Sequence, residues 1–188
     1  INGTGILNSW LKKNTAGNLD YPKINELAAK APVGSDGLVF MPFGNGAERV
    51  LCNKDIGAQL FNLQLNRHDQ SHLLRAGQEG IVFSLNYGFD IMKKMGMQLN
   101  TVRAGHANMF LSPIFSEAFA NITGAVVELY NTDGSQGAAR GAGVGAGIYS
   151  NFKEAFTGLK SLSKIEPTTE LTKKYQEAYT RWLSYLKV

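Results

Sequence analysis

The chain has 188 residues, 44% of them hydrophobic and 18% charged, with a formal net charge of +4. That length and apolar share support one substantial core and exclude a disordered, highly charged chain. The basic residues are scattered, Lys12-Lys13, Lys93-Lys94 and Lys173-Lys174 being the densest pairs, which excludes a basic nucleic-acid surface. One cysteine, Cys52, excludes an internal disulfide and suits a reducing, cytoplasmic setting. No apolar run approaches a membrane span, and no signal-peptide pattern is present. The chain begins at Ile1 inside sequence that reads as structured, so a piece of a longer protein is expected.

Residues 1–13 read as the end of a strand, a glycine turn and a helix carrying Ile6, Leu7, Trp10 and Leu11. Tyr21-Pro22 opens a second helix, over about 24–31, that Pro32 ends. Residues 34–37 are a turn cluster, 38–41 a short buried strand stopped by Pro42, and 44–49 a charged glycine loop. Residues 69–95 give the longest helical pattern, with Leu73, Gly77, Ile81, Leu85, Gly88, Met92 and Met95 at three- and four-residue steps. Asp69 or Ser71 can cap its start and Gly96 its end. Glycines 77, 80 and 88 would each cost roughly 1 kcal/mol relative to alanine in an exposed helix. Their presence implies close packing against another backbone, or a break.

In residues 101–124, Val102 leads into a small-residue loop over 103–111, and Ser112-Pro113 then opens a helix. Serine is a favoured N-cap, and proline suits the first helical position because its missing N–H has no partner there. Ile114, Phe115, Ala118, Phe119 and Ile122 share one face, and Gly124 closes the helix. Strand, small-residue loop and helix let a backbone approach a flat or anionic ligand, and also make ordinary connections. Residues 125–130 read as a buried strand and 131–135 as a loop ending in capping residues. Gly137, Gly141 and Gly145 stand four apart. On a helix they form a bare stripe against which something must pack tightly; a glycine loop is the alternative. A last amphipathic helix over 170–187 carries Tyr175, Tyr179, Trp182, Leu183 and Leu186. Strands alternating with helices indicate an α/β domain, whose ligands collect at loops after strand carboxyl ends. Residues 3–5, 103–111 and 131–137 are such loops.

His68 and His72 have the i, i+4 spacing of two helix-borne metal ligands, but no HExxH and no cysteine pair accompanies them. They read as solvated residues at a helix start, and no metal site is assigned. Cys52 follows Val50-Leu51 and reads as a small packed hydrophobe. There is no GxSxG elbow, no GxxxxGK[ST] and no complete GxGxxG before a helix. Asp36, Glu48, Asp55 and Asp133 lie in loops, unpaired. No catalytic residue is assigned; what remains are small-residue loops suited to meeting a nucleotide through backbone atoms.

Several segments, in order, resemble the carboxyl-terminal domain of the FGGY carbohydrate kinases, nearest the xylulokinase branch. GLVFMPFGNGAER (37–49) is similar to that branch's strand, Pro and GER element. SHLLRAGQEGIVF (71–83) is similar to the signature helix HL-x-RA-x-x-EG-x-x-F, and SPIFSEAFANITG (112–124) to the helix after the adenosine loop. Residues 134–149 resemble the small-residue helix that follows. The likeness runs from about 3 to 185. Two departures stand out. Ala104-Gly105-His106-Ala107-Asn108, with extra residues before Ser112, replaces the usual glycine run and brings a bulky His106. Gly77-Gln78 stands where the family has larger apolar residues.

The resemblance implies an actin-like ATPase, ribonuclease H-like α/β domain over 1–188, incomplete at its start. It would be the ATP-side lobe of a two-lobe kinase that uses Mg-ATP. Gly5 would line the nucleotide side after the first strand; Gly105, Ala107 and Asn108 would border adenosine, the glycine by permitting close approach. The sugar contacts and the catalytic aspartate would lie in an amino-terminal domain, leaving this chain inactive alone. D-xylulose is the expected substrate. Another ketose or polyol, or a non-catalytic actin-like binding lobe, is the alternative. No nucleic-acid or membrane partner is expected, and a homodimer is left open.

Overall fold

The long periodic stretch forms the central helix. In the computed structural model, which describes residues 1–187, α3 (Gln70–Lys94) buries most of its first four turns, including Leu74, Ile81, Val82 and Phe83. Before it come α1 (Thr4–Thr15), α2 (Tyr21–Ala28) and an antiparallel hairpin of β1 (Val39–Phe43) and β2 (Gly57–Phe61). After it come β3 (Thr101–Gly105), α4 (Pro113–Thr123) and β4 (Val126–Tyr130), a βαβ unit with parallel strands. Then follow α5 (Gly134–Gly145), α6 (Phe152–Ala155), β5 (Ser161–Ile165) and α7 (Thr169–Tyr185). The second sheet has the order β3-β4-β5, with β5 antiparallel to β4. Side chains from α1, α2, β1, α3, α4, β4 and α7 join in one core, with Phe43, Phe83, Phe119, Tyr179 and Trp182 among them.

The start of α3 follows its sequence. The Asp69 carboxylate accepts from the backbone N–H groups of Ser71 and His72, and the His72 ring reaches back to the Asp69 backbone, a capping box. Hydrogen bonds from Ser71 first, then His72, hold the Asp69 carboxyl well below the usual carboxylate range. Asp69→Ala is expected to cost about 1 kcal/mol in urea unfolding at neutral pH. A depressed folded pKa places this contribution above the unfolded pKa and removes it as the pH falls through the folded one. The gap between wild type and variant should therefore narrow below about pH 4.

Two of the three α3 glycines are explained by close packing, and the helix has no break. A Cβ on Gly77 would overlap the Leu11 side chain of α1, and one on Gly80 would overlap the Phe40 carbonyl of β1. Gly88 faces nearly open space.

Several expectations need correction. Residues 1–3 form no strand; α1 starts at Thr4 after Gly3 at φ 78. The Asn2 backbone N–H donates to the Glu48 carboxylate at 2.9 and 3.0 Å, so it serves a buried loop anion and not a ladder. The second helix spans Tyr21–Ala28 because Asp20 caps it, accepting from the Lys23 backbone N–H at 3.0 Å. β1 runs through Pro42. The Phe40 carbonyl accepts from the Trp182 indole at 3.1 Å, so Phe40 and, two residues on, Pro42 turn their polar groups away from β2. A proline on that open side forfeits no ladder bond. Cys52 is exposed, at φ 55: the short 3₁₀ turn Arg49–Leu51 sends Leu51 inward and leaves the cysteine outside. α5 is helical, but among the described residues nothing packs on Gly137, Gly141 or Gly145; Gly143 meets the Tyr149 ring instead. The two histidines at the start of α3 are not simply solvated: the His72 ring also reaches Asp36 at 3.2 Å, and His68 Nε2 lies 3.3 Å from the Asp36 carbonyl.

Candidate functional site

Because β3 and β4 are parallel, their carboxyl ends, Gly105 and Tyr130, lie side by side. The backbone after each strand therefore turns at the same edge of the sheet. Gly105 is needed there by the protein itself: a Cβ on it would overlap the Thr132 carbonyl of the loop after β4. Ala107 donates its N–H to the Gly105 carbonyl at 2.8 Å and precedes the 3₁₀ turn Asn108–Leu111. Asn108 takes a left-handed φ of 53, which asparagine tolerates better than most residues. The turn delivers Ser112, whose hydroxyl accepts from the Phe115 N–H at 3.4 Å and caps α4.

This turn faces α1 and α2 across a cleft of about 560 Å³. α1 contributes Thr4, Gly5 and Asn8; α2 contributes Tyr21 and Asn25; the turn contributes Asn108, Met109, Leu111 and Ser112. Among the described residues, no charged side chain lines it. The wall is amide, hydroxyl, one phenol ring and two aliphatic side chains, groups suited to a flat heterocycle and a ribose rather than to a bare phosphate. A side chain on Gly5 would meet no protein atom, so the glycine leaves cleft space and fills no packing need.

Of the four residues expected to meet a nucleotide, Gly5 and Asn108 share this cleft, from sequence positions over a hundred residues apart. Gly5 does so from the first turn of a helix, not from a loop after a strand. Gly105 and Ala107 stand outside the lining and shape the turn from behind. His106 is exposed and lines a different cleft of about 400 Å³, with Glu117 and Glu166. It therefore does not crowd the first cleft.

Asn8, Tyr21, Asn25 and Gln78 escaped the sequence reading. Asn8 lies one turn after Thr4 on the same helix face, as Asn25 does after Tyr21, a spacing that was legible. Gln78 carried a signal, a polar residue in the apolar stripe of α3. It is 1% exposed, donates from Nε2 to Asn25 Oδ1 at 3.1 Å, and accepts from the Ser112 hydroxyl at 2.5 Å. The departure from the family pattern thus ties the two walls of the cleft together.

Beside it, a buried ion pair fixes the surrounding helices. Arg75 donates to Glu79 at 2.8 Å, to the Ala31 carbonyl at 3.0 Å and to the Tyr175 hydroxyl at 3.0 Å. Tyr175 donates onward to Glu117 at 2.8 Å, and Glu79 also accepts from the Gly34 N–H and the Ser35 hydroxyl. Burial pushes the Glu79 carboxyl up, with the Arg75 guanidinium pulling against it; burial also pushes the Tyr175 phenol far above its ordinary range. The turn after α2, and helices α3, α4 and α7, are held by one satisfied network.

Residues 1–148 match the model of the FGGY family of carbohydrate kinases, C-terminal domain. The xylulose kinase of Haemophilus influenzae is 30% identical in an alignment of 177 positions that covers 90% of this chain and 35% of that protein. The structure of ligand-bound xylulose kinase from Lactobacillus acidophilus superposes with a TM-score of 0.81 at 19% identity, over 96% of this chain and 37% of that one. That of Plasmodium falciparum glycerol kinase with ADP gives 0.72 at 23% identity, over 99% and 37%. The chain spans about a third of the length of these proteins. The fold is the actin-like α/β fold of sugar kinases. On its sequence match over most of its length, the chain belongs to the FGGY family of carbohydrate kinases, as that family's C-terminal domain.

Proposed function

We propose that the chain is the nucleotide-binding lobe of an ATP-dependent carbohydrate kinase, and that the full-length protein phosphorylates a ketose, D-xylulose first. The observation that carries this reading is the uncharged cleft joining Gly5 to Asn108 in a member of this family. Adenosine occupies it, with the Asn108 amide as a hydrogen-bonding partner and Gly5 leaving room for the ring or ribose. Gly105 and Ala107 act indirectly, by setting the turn that presents Asn108. The phosphates extend out of the cleft, since nothing cationic among the described residues lines it. No carboxylate of the described residues lines it either, so Mg²⁺ would arrive bound to the nucleotide and would supply charge neutralisation.

The match to about a third of each relative supports placing the sugar pocket and the catalytic base on an amino-terminal lobe. This chain then binds ATP without turnover, and transfer follows when the two lobes close around both substrates. The exposed thiol of Cys52 supports a reducing compartment, the cytoplasm.

Calorimetry of the chain with ATP tests the site. Binding is expected, and Asn108→Ala should weaken it by about five- to tenfold, the size of one lost hydrogen bond. No heat at millimolar ATP would overturn the reading. A panel of ketoses, polyols and aldonates on the full-length protein tests the substrate; failure to phosphorylate D-xylulose would remove that assignment.

A further inference from the structure

Gln78 is a buried amide in the apolar stripe of α3, and both its hydrogen bonds end on residues that line the cleft. The direction of those bonds is dictated from α4. Ser112 must accept the orphan Phe115 N–H to cap that helix, so its own hydroxyl proton has to go to another acceptor. Gln78 Oε1, 2.5 Å away, is that acceptor. With its oxygen engaged by Ser112, the planar amide presents its NH₂ to Asn25, whose Oδ1 lies 3.1 Å from Nε2. With Oδ1 in turn engaged, the Asn25 amide has its NH₂ left, and that group has no protein acceptor among the described residues. Reversing Gln78 would give the Ser112 oxygen two donors and leave its proton without a partner. The helix cap thus fixes the polarity of a three-residue relay that ends at the cleft wall.

We propose that Asn25 is a nucleotide-binding residue, its NH₂ donating to an acceptor on the nucleoside (a ring nitrogen or a ribose oxygen), and that Gln78 is the positioning residue that sets this donor. The inference rests on the cleft being the ATP site. It also gives the Gln78 departure a chemical reason: an apolar side chain at that position could accept from Ser112 no more than it could orient Asn25.

The test is ATP binding by calorimetry on the chain and on Asn25→Asp, Asn25→Ala, Gln78→Met and the Asn25→Ala/Gln78→Met double variant, each checked by thermal unfolding. Asn25→Asp keeps the oxygen that Gln78 contacts and replaces the donor with an acceptor, so it should weaken ATP tenfold or more with little change in Tm. Asn25→Ala and Gln78→Met should each weaken it about three- to tenfold. The double variant should bind no more weakly than the worse single one, because both act through one donor. That non-additivity is a readout that loosened packing around Gln78 would not produce. Wild-type ATP binding with unchanged affinity in Asn25→Asp and Asn25→Ala would overturn the proposal while leaving the nucleotide cleft intact. Fully additive losses would overturn the role of Gln78. No binding by wild type would overturn the cleft assignment and this proposal together.

Discussion

Arg75→Met is expected to lower the unfolding free energy by about 3–5 kcal/mol, because it leaves Glu79 as an uncompensated charge inside the protein. The side chains of both residues are almost wholly buried, and Arg75 serves Glu79, the Ala31 carbonyl in the turn after α2, and Tyr175 at once. Urea unfolding at neutral pH measures the loss. Two companion results follow. Arg75→Met/Glu79→Leu should recover much of the deficit, since a buried pair replaced by apolar groups of similar volume is often neutral. The deficit should also shrink in acid. Burial already pushes the Glu79 carboxyl up, and removing Arg75 takes away the group that opposes this. A carboxyl raised in the folded state destabilises at pH values above its folded pKa and ceases to do so below its unfolded pKa, near pH 4. A loss under 1 kcal/mol, or one unchanged at pH 4, would show that the network does not hold these helices.

Gly80→Ala should be the most damaging of the three glycine-to-alanine changes in α3, costing about 1–3 kcal/mol or more. The new methyl meets the Phe40 carbonyl, a backbone atom that cannot rotate away, so α3 must move off β1. That movement also threatens the Trp182 bond to the same oxygen. The roughly 1 kcal/mol that alanine gains in helix propensity does not offset both effects. At Gly77 the obstacle is the end of the Leu11 side chain, which has other rotamers, so the cost should be smaller. At Gly88 the site is open and alanine should be neutral or stabilising. The order of urea midpoints for the three variants checks the prediction. Gly80→Ala as stable as Gly88→Ala would refute it.

The elements that could be read from sequence are the long ones with large buried side chains at a regular spacing. α7 buries one face over several turns, and α3 and α4, buried more completely, still carry their large apolar side chains at helical spacing between clear caps, so all three were placed to within a few residues. β4 was legible as a β-branched run. β2 is short and only half-buried, β5 short and largely exposed, and neither gave an apolar pattern to find. β1 was cut short because a proline normally ends a ladder; which side of a strand faces its partner is a tertiary fact. The site shows the same division. Gly5 and Asn108 were placed by family likeness, and they do share one cleft. Gly105 was assigned the close approach of a ligand, whereas the atom that approaches is the Thr132 carbonyl. A glycine announces proximity without naming its neighbour. Asn25 and Gln78 act through a contact 53 residues apart in sequence, which no local pattern encodes.

The geometry of β1 has a consequence for solubility. A two-stranded hairpin ordinarily offers an open margin of N–H and C=O groups on which a second molecule can add a strand. On the outer margin of β1, the Phe40 oxygen is taken by the Trp182 indole and Pro42 has no N–H to offer. An incoming strand would find one acceptor already engaged and one donor missing from the ladder it needs. This protection depends on α7, which carries Trp182. Partial unfolding that frees the C-terminal helix would take the indole off the Phe40 acceptor, leaving only the packing of α3 at Gly80 against it. The first intermolecular β-pairing on heating should then nucleate at residues 39–41, in step with loss of α7.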